Sequence, residues 1–324
     1  MHIETQGPGV SSTEQPGAPT LANRIELPNV VTEAQRQAYI DDGFLVLPRL
    51  LAKAAIDELI EDTYRIVKGA YPSAALQTLP PEVSDAEALN RLLCIHMPHS
   101  ISPVVERYMR HPLICGALAQ LAGAHLPHWD GSVKCMQSML FVKPPGFQGQ
   151  AWHQDEIYIP TRDRSLTGAW IAIDDATTEN GCLWVIPGSH RTGYLYPQRP
   201  HGRPDEWDTS PESYGFDERS SIPVEVPSGS LVFFNGYLLH RSFRNRSDRH
   251  RRVLVNHYMN AWSKLPWYQP KNHTGAIADI DIRSVVPVAG VDPYAWRGQR
   301  KPLDVFIRMC EASAQAEAKL EGRS

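Results

Sequence analysis

The chain has 324 residues, 42% of them hydrophobic and 9% aromatic, enough to bury a large core as one elaborated domain or two small ones. Its formal net charge of −4 gives no electrostatic footprint for nucleic acid or an anionic membrane, so neither partner is expected and a small-molecule substrate is. The five cysteines are odd in number, far apart and without a Cys-x-x-Cys, which suggests neither a disulfide framework nor a thiolate zinc site and fits a reducing cytosol.

The opening MHIETQGPGVSSTEQPGAPT is rich in Gly, Pro, Ser and Thr and lacks a basic segment followed by an apolar run. A disordered tail over residues 1–28 is expected, with no secretory signal. One domain is expected over 29–324. Within it, residues 32–123 read as a helical brace. Thr32 with Gln35, and Ser84 with Glu87, form capping-box patterns, and Gly43 supplies a helix stop. Between them, Ile56, Leu59, Ile60, Tyr64 and Val67 make one apolar stripe, and ISPVVERYMR and PLICGALAQLAG add two more helices. FLVLPRL at 44–50 is a short β-type run. No reactive constellation appears among these elements.

From about residue 133 to 262 the texture changes. Short β-branched and aromatic runs (SVKCMQSMLFVK, TGAWIAIDD, CLWVIPG, SIPVEV, SLVFFNG, RVLVNHYMNAW) alternate with Gly, Pro, Asn and Asp clusters, the pattern of an all-β sandwich or barrel. Long irregular segments at 196–220 and 264–290 read as functional lids or as disordered loops. LDVFIRMCEASAQAEAKL closes the chain as an amphipathic helix candidate. No window of 18 apolar residues exists, so no membrane-crossing helix is expected. The final Gly-Arg-Ser is not a peroxisomal address. The cytosol is the expected compartment, and oligomeric state leaves no signal.

The stretch AWHQDEIY at 151–158 carries the first chemical signal. If it is a strand, His153 and Asp155 point to one face about 6 to 7 Å apart and can reach a common metal ion; the alternative is a chance polar pair. His240, ending the apolar run FFNGYLLH, is a third candidate. Two histidines and one carboxylate suit non-haem Fe(II) and leave three coordination positions open. An oxygen-activating iron needs an electron source. A keto acid can supply it by chelating the metal, and its far carboxylate then needs a cation, best a guanidinium. In RHRR, a strand starting near residue 251 puts Arg251 on the face of Val253 and Arg252 on the other; Arg251 is the choice, with Arg252 or Arg249 the alternatives if the register differs. Ser242, two residues beyond His240, offers a hydroxyl to the same carboxylate.

KPPGFQGQAWHQDEIY, then LTGAWIAIDDATTENGCLWVIPGSH, then HRSFRNRSDRHRRVLVNHY resemble, in order and spacing, the three signature blocks of the phytanoyl-CoA dioxygenase family of Fe(II)/2-oxoglutarate-dependent oxygenases. The resemblance covers about residues 32–262 and is strongest over 137–258. It implies a mainly β fold with bracing α-helices around a double-stranded β-helix core, a distorted, cupin-like jelly roll. It further implies iron ligation by His153, Asp155 and His240, with Arg251 and Ser242 holding 2-oxoglutarate, Trp170 lining the co-substrate pocket, and Gln137 and Lys143 as further candidates there. Fe(II), 2-oxoglutarate and O2 are the implied cofactors. In related halogenases a small residue replaces the acid, so Asp155 points to hydroxylation of a C–H bond with release of succinate and CO2. Desaturation, ring formation and epimerisation share the same hydrogen abstraction.

Other residues invite structural readings. His190 is expected to orient the core through backbone bonds, Trp152 to pack on the far side of its strand, and Asn180 with Gly181 to form a turn. Glu156 and Tyr158 lie just past the ligands, Tyr158 as a pocket or core residue. An acyl-CoA substrate would need cations, for which Lys143, Arg162, Arg164, Arg191 and Arg199 are candidates. Tyr194, Tyr196, Trp207, Trp267 and Tyr268 equally suit a ring-bearing substrate. Two rival readings stand beside the oxygenase: a non-oxidative divalent-metal enzyme on a cupin-type barrel, and a metal-free binding protein.

Overall fold

A computed structural model describes residues 26–264, 285–297 and 304–309. In chain order the elements are α1 (Glu33–Asp42), β1 (Phe44–Leu47), α2 (Lys53–Val67), α3 (Asp85–Asn90), β2 (Leu92–His96), α4 (Pro103–Met109), α5 (Pro112–Leu121), β3 (Val133–Lys143), β4 (Gln150–His153), β5 (Thr167–Ala172), β6 (Leu183–Val185), β7 (Gln198–Arg199), β8 (Glu212–Ser213), β9 (Ile222–Val224), β10 (Leu231–Asn235), β11 (His240–Ser242), β12 (Arg251–Asn260), β13 (Val286–Ala289) and β14 (Phe306–Met309). Both capping boxes form as the sequence predicts: Thr32 and Ser84 each accept from the backbone three residues on, and Gln35 and Glu87 reach back. Gly43 ends α1 in the left-handed region at φ 82°.

The strands make two facing antiparallel sheets. The larger runs β1-β10-β5-β12-β3-β2-β14, with β13 also on β3, and the smaller runs β4-β11-β6-β9. This is a jelly roll, the double-stranded β-helix that the family resemblance implies.

Why the central strands read as nearly unbroken apolar runs is visible in their packing. In β5, β10 and β12 the residues Trp170, Ala172, Val232, Phe234, Val253 and Val255 face the smaller sheet. Their neighbours Ala169, Ile171, Leu231, Phe233 and Leu254 face the helices with Ile56, Leu59, Leu118 and Leu121. With both faces buried, alternation of apolar and polar residues has no role. Of the stripe on α2, Ile56, Leu59 and Val67 are buried, and Ile60 and Tyr64 pack partly buried against the same core.

Several expectations change. Residues 32–123 are not helical throughout, since Leu92–His96 form β2 on the edge of β3, with Cys94 opposite Phe141. A five-residue apolar run has no period of its own, and the open sheet edge decides its state. The predicted C-terminal helix is contradicted over Phe306–Met309, which pair with β2 as β14; its remainder lies outside the described residues. Loop 264–290 ends in β13 on β3, and residues 265–284 lie outside the described residues, Trp267 and Tyr268 among them. Loop 196–220 is irregular apart from the short β7–β8 pair.

One close approach positions the strands that matter most below. A Cβ on Gly149, just before β4, would lie 1.8 Å from the carbonyl oxygen of Ser242 in β11, so only glycine lets the two backbones pass. Gly149→Ala is expected to push these strands apart and lower stability by about 1–3 kcal/mol, read as a lower Tm in thermal unfolding.

Candidate metal centre

His153 ends β4 and His240 opens β11, and the two are direct partners across the antiparallel pair. Each ring is steered by the same local device: His153 Nδ1 bonds the carbonyl oxygen of Ala151 at 2.8 Å, and His240 Nδ1 that of Leu238 at 2.9 Å. A carbonyl only accepts, so both Nδ1 atoms carry the proton and both Nε2 atoms present lone pairs. Asp155 is not on the strand with His153, as the sequence suggested. It opens a 3-10 turn (Asp155–Ile157) that swings its carboxylate back toward the rings. Its Oδ1 is 3.7 Å from Nε2 of His153 and 3.7 Å from Nε2 of His240. The three donor atoms lie within 4.8 Å of one another.

Electrostatics match ligation. Burial raises the Asp155 pKa, but His240, His257 and His153 together outweigh it, and the net shift is downward from the usual carboxylate range. Burial, then the neighbouring His240, lowers His153 to about 4, so it stays neutral at physiological pH. An anionic carboxylate and neutral imidazole lone pairs are the states a metal requires.

The same cavity, about 370 Å³, is lined by Gln137, Lys143, Trp170, Ser242 and Arg251 as well as the triad. Arg251 is 4% exposed, and its guanidinium carbon sits 5.7 Å from the Trp170 ring centre. Burial lowers its pKa to about 10, leaving it a cation at neutral pH. Its Nε has no hydrogen-bond partner among the described residues. Arg252, on the opposite face, is held by Asp174 at 2.6 and 2.8 Å and by the Tyr64 hydroxyl at 3.1 Å; Arg249 lines a separate surface groove. The register therefore turns Arg251 to the cavity. Lys143 faces Arg251 across β3 and β12, and burial, then Arg251, lowers its pKa well below the ordinary lysine value. Lys143 Nζ donates to Ser242 Oγ at 3.1 Å, and the Gln150 amide donates to the same oxygen at 3.4 Å. With its lone pairs engaged, Ser242 has its own O–H left to donate.

Residues 39–253 match the family model for phytanoyl-CoA dioxygenase. The chain belongs to the phytanoyl-CoA dioxygenase family. It is 38% identical over 183 residues to phytanoyl-CoA dioxygenase 1 of Oryza sativa subsp. japonica, covering 54% of this chain and 61% of that protein. It is 34% identical over 211 residues to phytanoyl-CoA dioxygenase domain-containing protein 1 of Bos taurus, covering 63% and 68%. The chain thus spans less than two thirds of the rice protein's length. Among solved structures, the non-heme monooxygenase ThoJ shares the fold at a TM-score of 0.60 and 20% identity, over 89% of this chain and 95% of that one. EvdO2 from Micromonospora carbonacea var. aurantiaca, complexed with 2-oxoglutarate, does so at 0.54 and 21%, over 74% and 98%.

In this member of the phytanoyl-CoA dioxygenase family the remaining sequence candidates separate cleanly. His190 Nε2 bonds the Ile40 carbonyl at 3.0 Å, and its ring fills the space a Cβ on Gly43 would need, a structural role. Trp152 faces away, with Nε1 on Glu218 at 2.7 Å and Arg241 stacked 4.3 Å from its ring centre. Asn180 closes its turn through Thr177 and Asp175. Glu156 is buried against Thr161, pushed up to about 7 by burial. Tyr158 lines the cavity. The candidate cations do not converge: Arg164 and Arg191 border a separate pocket with His190, Arg199 pairs with Glu212, and only Lys143 reaches the cavity. Trp207 is buried at 4% exposure, while Tyr194 is exposed.

Several cavity residues went unread in the sequence, among them His257, Asp208 and Arg308. His257, whose Nε2 is 2.9 Å from Asp155 Oδ2, lies six residues past Arg251 on the same strand face, so the period-two rule that selected Arg251 also points to it. Asp208 and Arg308 form an ion pair at 2.7 Å on the cavity wall; one sits in an irregular loop and the other in β14, and neither had a periodic signal. The donor set predicts that anaerobic loading with Fe(II) followed by desalting leaves about one ion per chain, and that Asp155→Ala leaves almost none, checked by metal analysis.

Proposed function

We propose that the chain is an Fe(II)/2-oxoglutarate-dependent dioxygenase that hydroxylates an unactivated C–H bond of a small organic metabolite and releases succinate and CO2. The observation that carries this reading is a cation buried beside a metal-type triad: Arg251, with no carboxylate paired to it among the described residues, lines the same cavity as His153, Asp155 and His240. A plain divalent-metal hydrolase would have no use for that guanidinium. A diacid co-substrate does, because a buried charge is tolerable only when paired.

The residues fit the implied iron on the chemistry of their donors: two imidazole nitrogens and one carboxylate oxygen facing one point. When bound, iron supplies oxygen activation through the positions that the triad leaves free. The chain's own residues do the rest. Arg251 is the partner for the far carboxylate of 2-oxoglutarate, in the planar two-point pairing that guanidinium favours. Ser242 adds its free O–H to the same carboxylate, with Lys143 and the Gln150 amide fixing the hydroxyl's direction. Trp170, Met139, Phe141 and Val255 supply apolar walls that limit water around these charges and strengthen their pairing. Asp155 fills the ligand position that a halide would need, which favours hydroxyl transfer over halogenation. The cavity size and its mixture of apolar wall with Tyr158, Asp208 and Arg308 suit a compact substrate with polar groups.

The test is oxygen-dependent succinate release from 2-oxoglutarate by the Fe(II)-loaded chain in the presence of fractionated metabolite extract. Metal uptake without succinate in any fraction would instead favour the non-oxidative reading. Arg251→Ala is expected to raise the apparent KM for 2-oxoglutarate by two orders of magnitude or more, since stranding a buried carboxylate costs about 3–5 kcal/mol. An unchanged KM would move the co-substrate elsewhere.

A further inference from the structure

Three imidazoles surround Asp155, and they are not equivalent. Nε2 of His153 and of His240 stand 3.7 Å from Oδ1, outside hydrogen-bond range, and their protons are committed on the far side of the ring to backbone carbonyls. His257 is the reverse case. Its Nε2 is 2.9 Å from Oδ2, and its Nδ1 is buried without a hydrogen-bond partner among the described residues. A carboxylate only accepts, so His257 Nε2 carries the proton of this bond. The tautomers thus sort the rings: two offer lone pairs toward the triad's centre and the third offers a proton to the carboxylate's other oxygen.

We propose that His257 is a positioning residue that holds Asp155 to one-point ligation, occupying Oδ2 so that Oδ1 alone faces the metal. This rests on the metal reading of the preceding section. A carboxylate can ligate through one oxygen or two, and a second Asp155 oxygen on the ion would consume a position that oxygen or the keto acid requires. The backbone of Asp155 is fixed, its carbonyl accepting from the amides of Tyr158 and Ile159 at 2.9 Å each, so rotation of the carboxylate is the freedom that remains to be controlled. His257 controls it from a rigid seat. It is 3% exposed, in the middle of the larger sheet, between Gly168 of β5 and Gln137 of β3. A bulge in β3 at Met136, opposite the His257–Tyr258 step, keeps Gln137 on the cavity side while Cys135 returns to the helix-facing core.

The test compares His257→Leu, which removes the donor, with His257→Gln, whose amide nitrogen can replace Nε2. Co(II) serves as the probe, read by its dissociation constant and its visible ligand-field spectrum, with thermal unfolding as the check on folding. His257→Leu is expected to weaken Co(II) binding about 10- to 100-fold and to change the spectrum. His257→Gln is expected to restore affinity to within about threefold together with the wild-type spectrum. Wild-type affinity and spectrum in His257→Leu would overturn the proposal. So would a folded His257→Gln chain as impaired as the Leu variant, since ring volume rather than the hydrogen bond would then matter. Should His257→Leu fail to fold, the Gln variant decides alone, on the same affinity and spectrum. A wild-type chain that takes up neither Co(II) nor Fe(II) would sink the metal reading itself and this role with it; a wild type that binds beside an indifferent Leu variant sinks only the role of His257.

Discussion

The chemistry of this molecule depends on one backbone pairing, that of His240 with His153 across β4 and β11. Antiparallel register sets two residues opposite each other at a fixed separation, so the rings, with centroids 4.1 Å apart, need no further device to meet. Gly149 lets the strands pass, and His240 and Ser242, two residues apart on β11, share the face that lines one cavity. Asp155 then has only to turn back from the end of β4. The carboxylate ligand comes from a turn, where its direction is set by backbone bonds and, in the role proposed here, by His257.

The second constraint is charge. Lys143 and Arg251 are neighbours in register, both almost fully buried. Such an arrangement costs stability in the protein alone, because desolvation and mutual repulsion both oppose it; the lowered pKa of Lys143 records that cost. A fold keeps a destabilising pair of this kind where function uses it. In the function proposed above a dianionic co-substrate would be their complement; Ser242, Lys143 and Arg251 gather on one wall, while Arg252, one residue away, is neutralised by Asp174 on the other face.

Much of this was legible in the sequence because it follows from short-range rules. Capping residues announced α1 and α3, β-branched runs announced the sheets, and the period of two separated Arg251 from Arg252. The errors share a cause. Leu92–His96 and Phe306–Met309 lack a decisive period, so their strand conformation comes from the exposed edges of β3 and β2 rather than from local preference. His257 was within reach of the rule that found Arg251, while Asp208 and Arg308 were not, since their ion pair joins segments 100 residues apart.

The sequence by itself determined the inventory: which side chains could ligate, which apolar runs suit strands, where helices begin, and the family the chain resembles. Those are local properties, set by side-chain chemistry and backbone period within a few residues. Tertiary structure alone decided the convergence: that Asp155 reaches the rings from a 3-10 turn instead of a strand, that His257 caps its second oxygen, and that Lys143 meets Ser242. Each of these joins segments distant in the chain, and the distance is closed only when two sheets and their helical backing bury a common core.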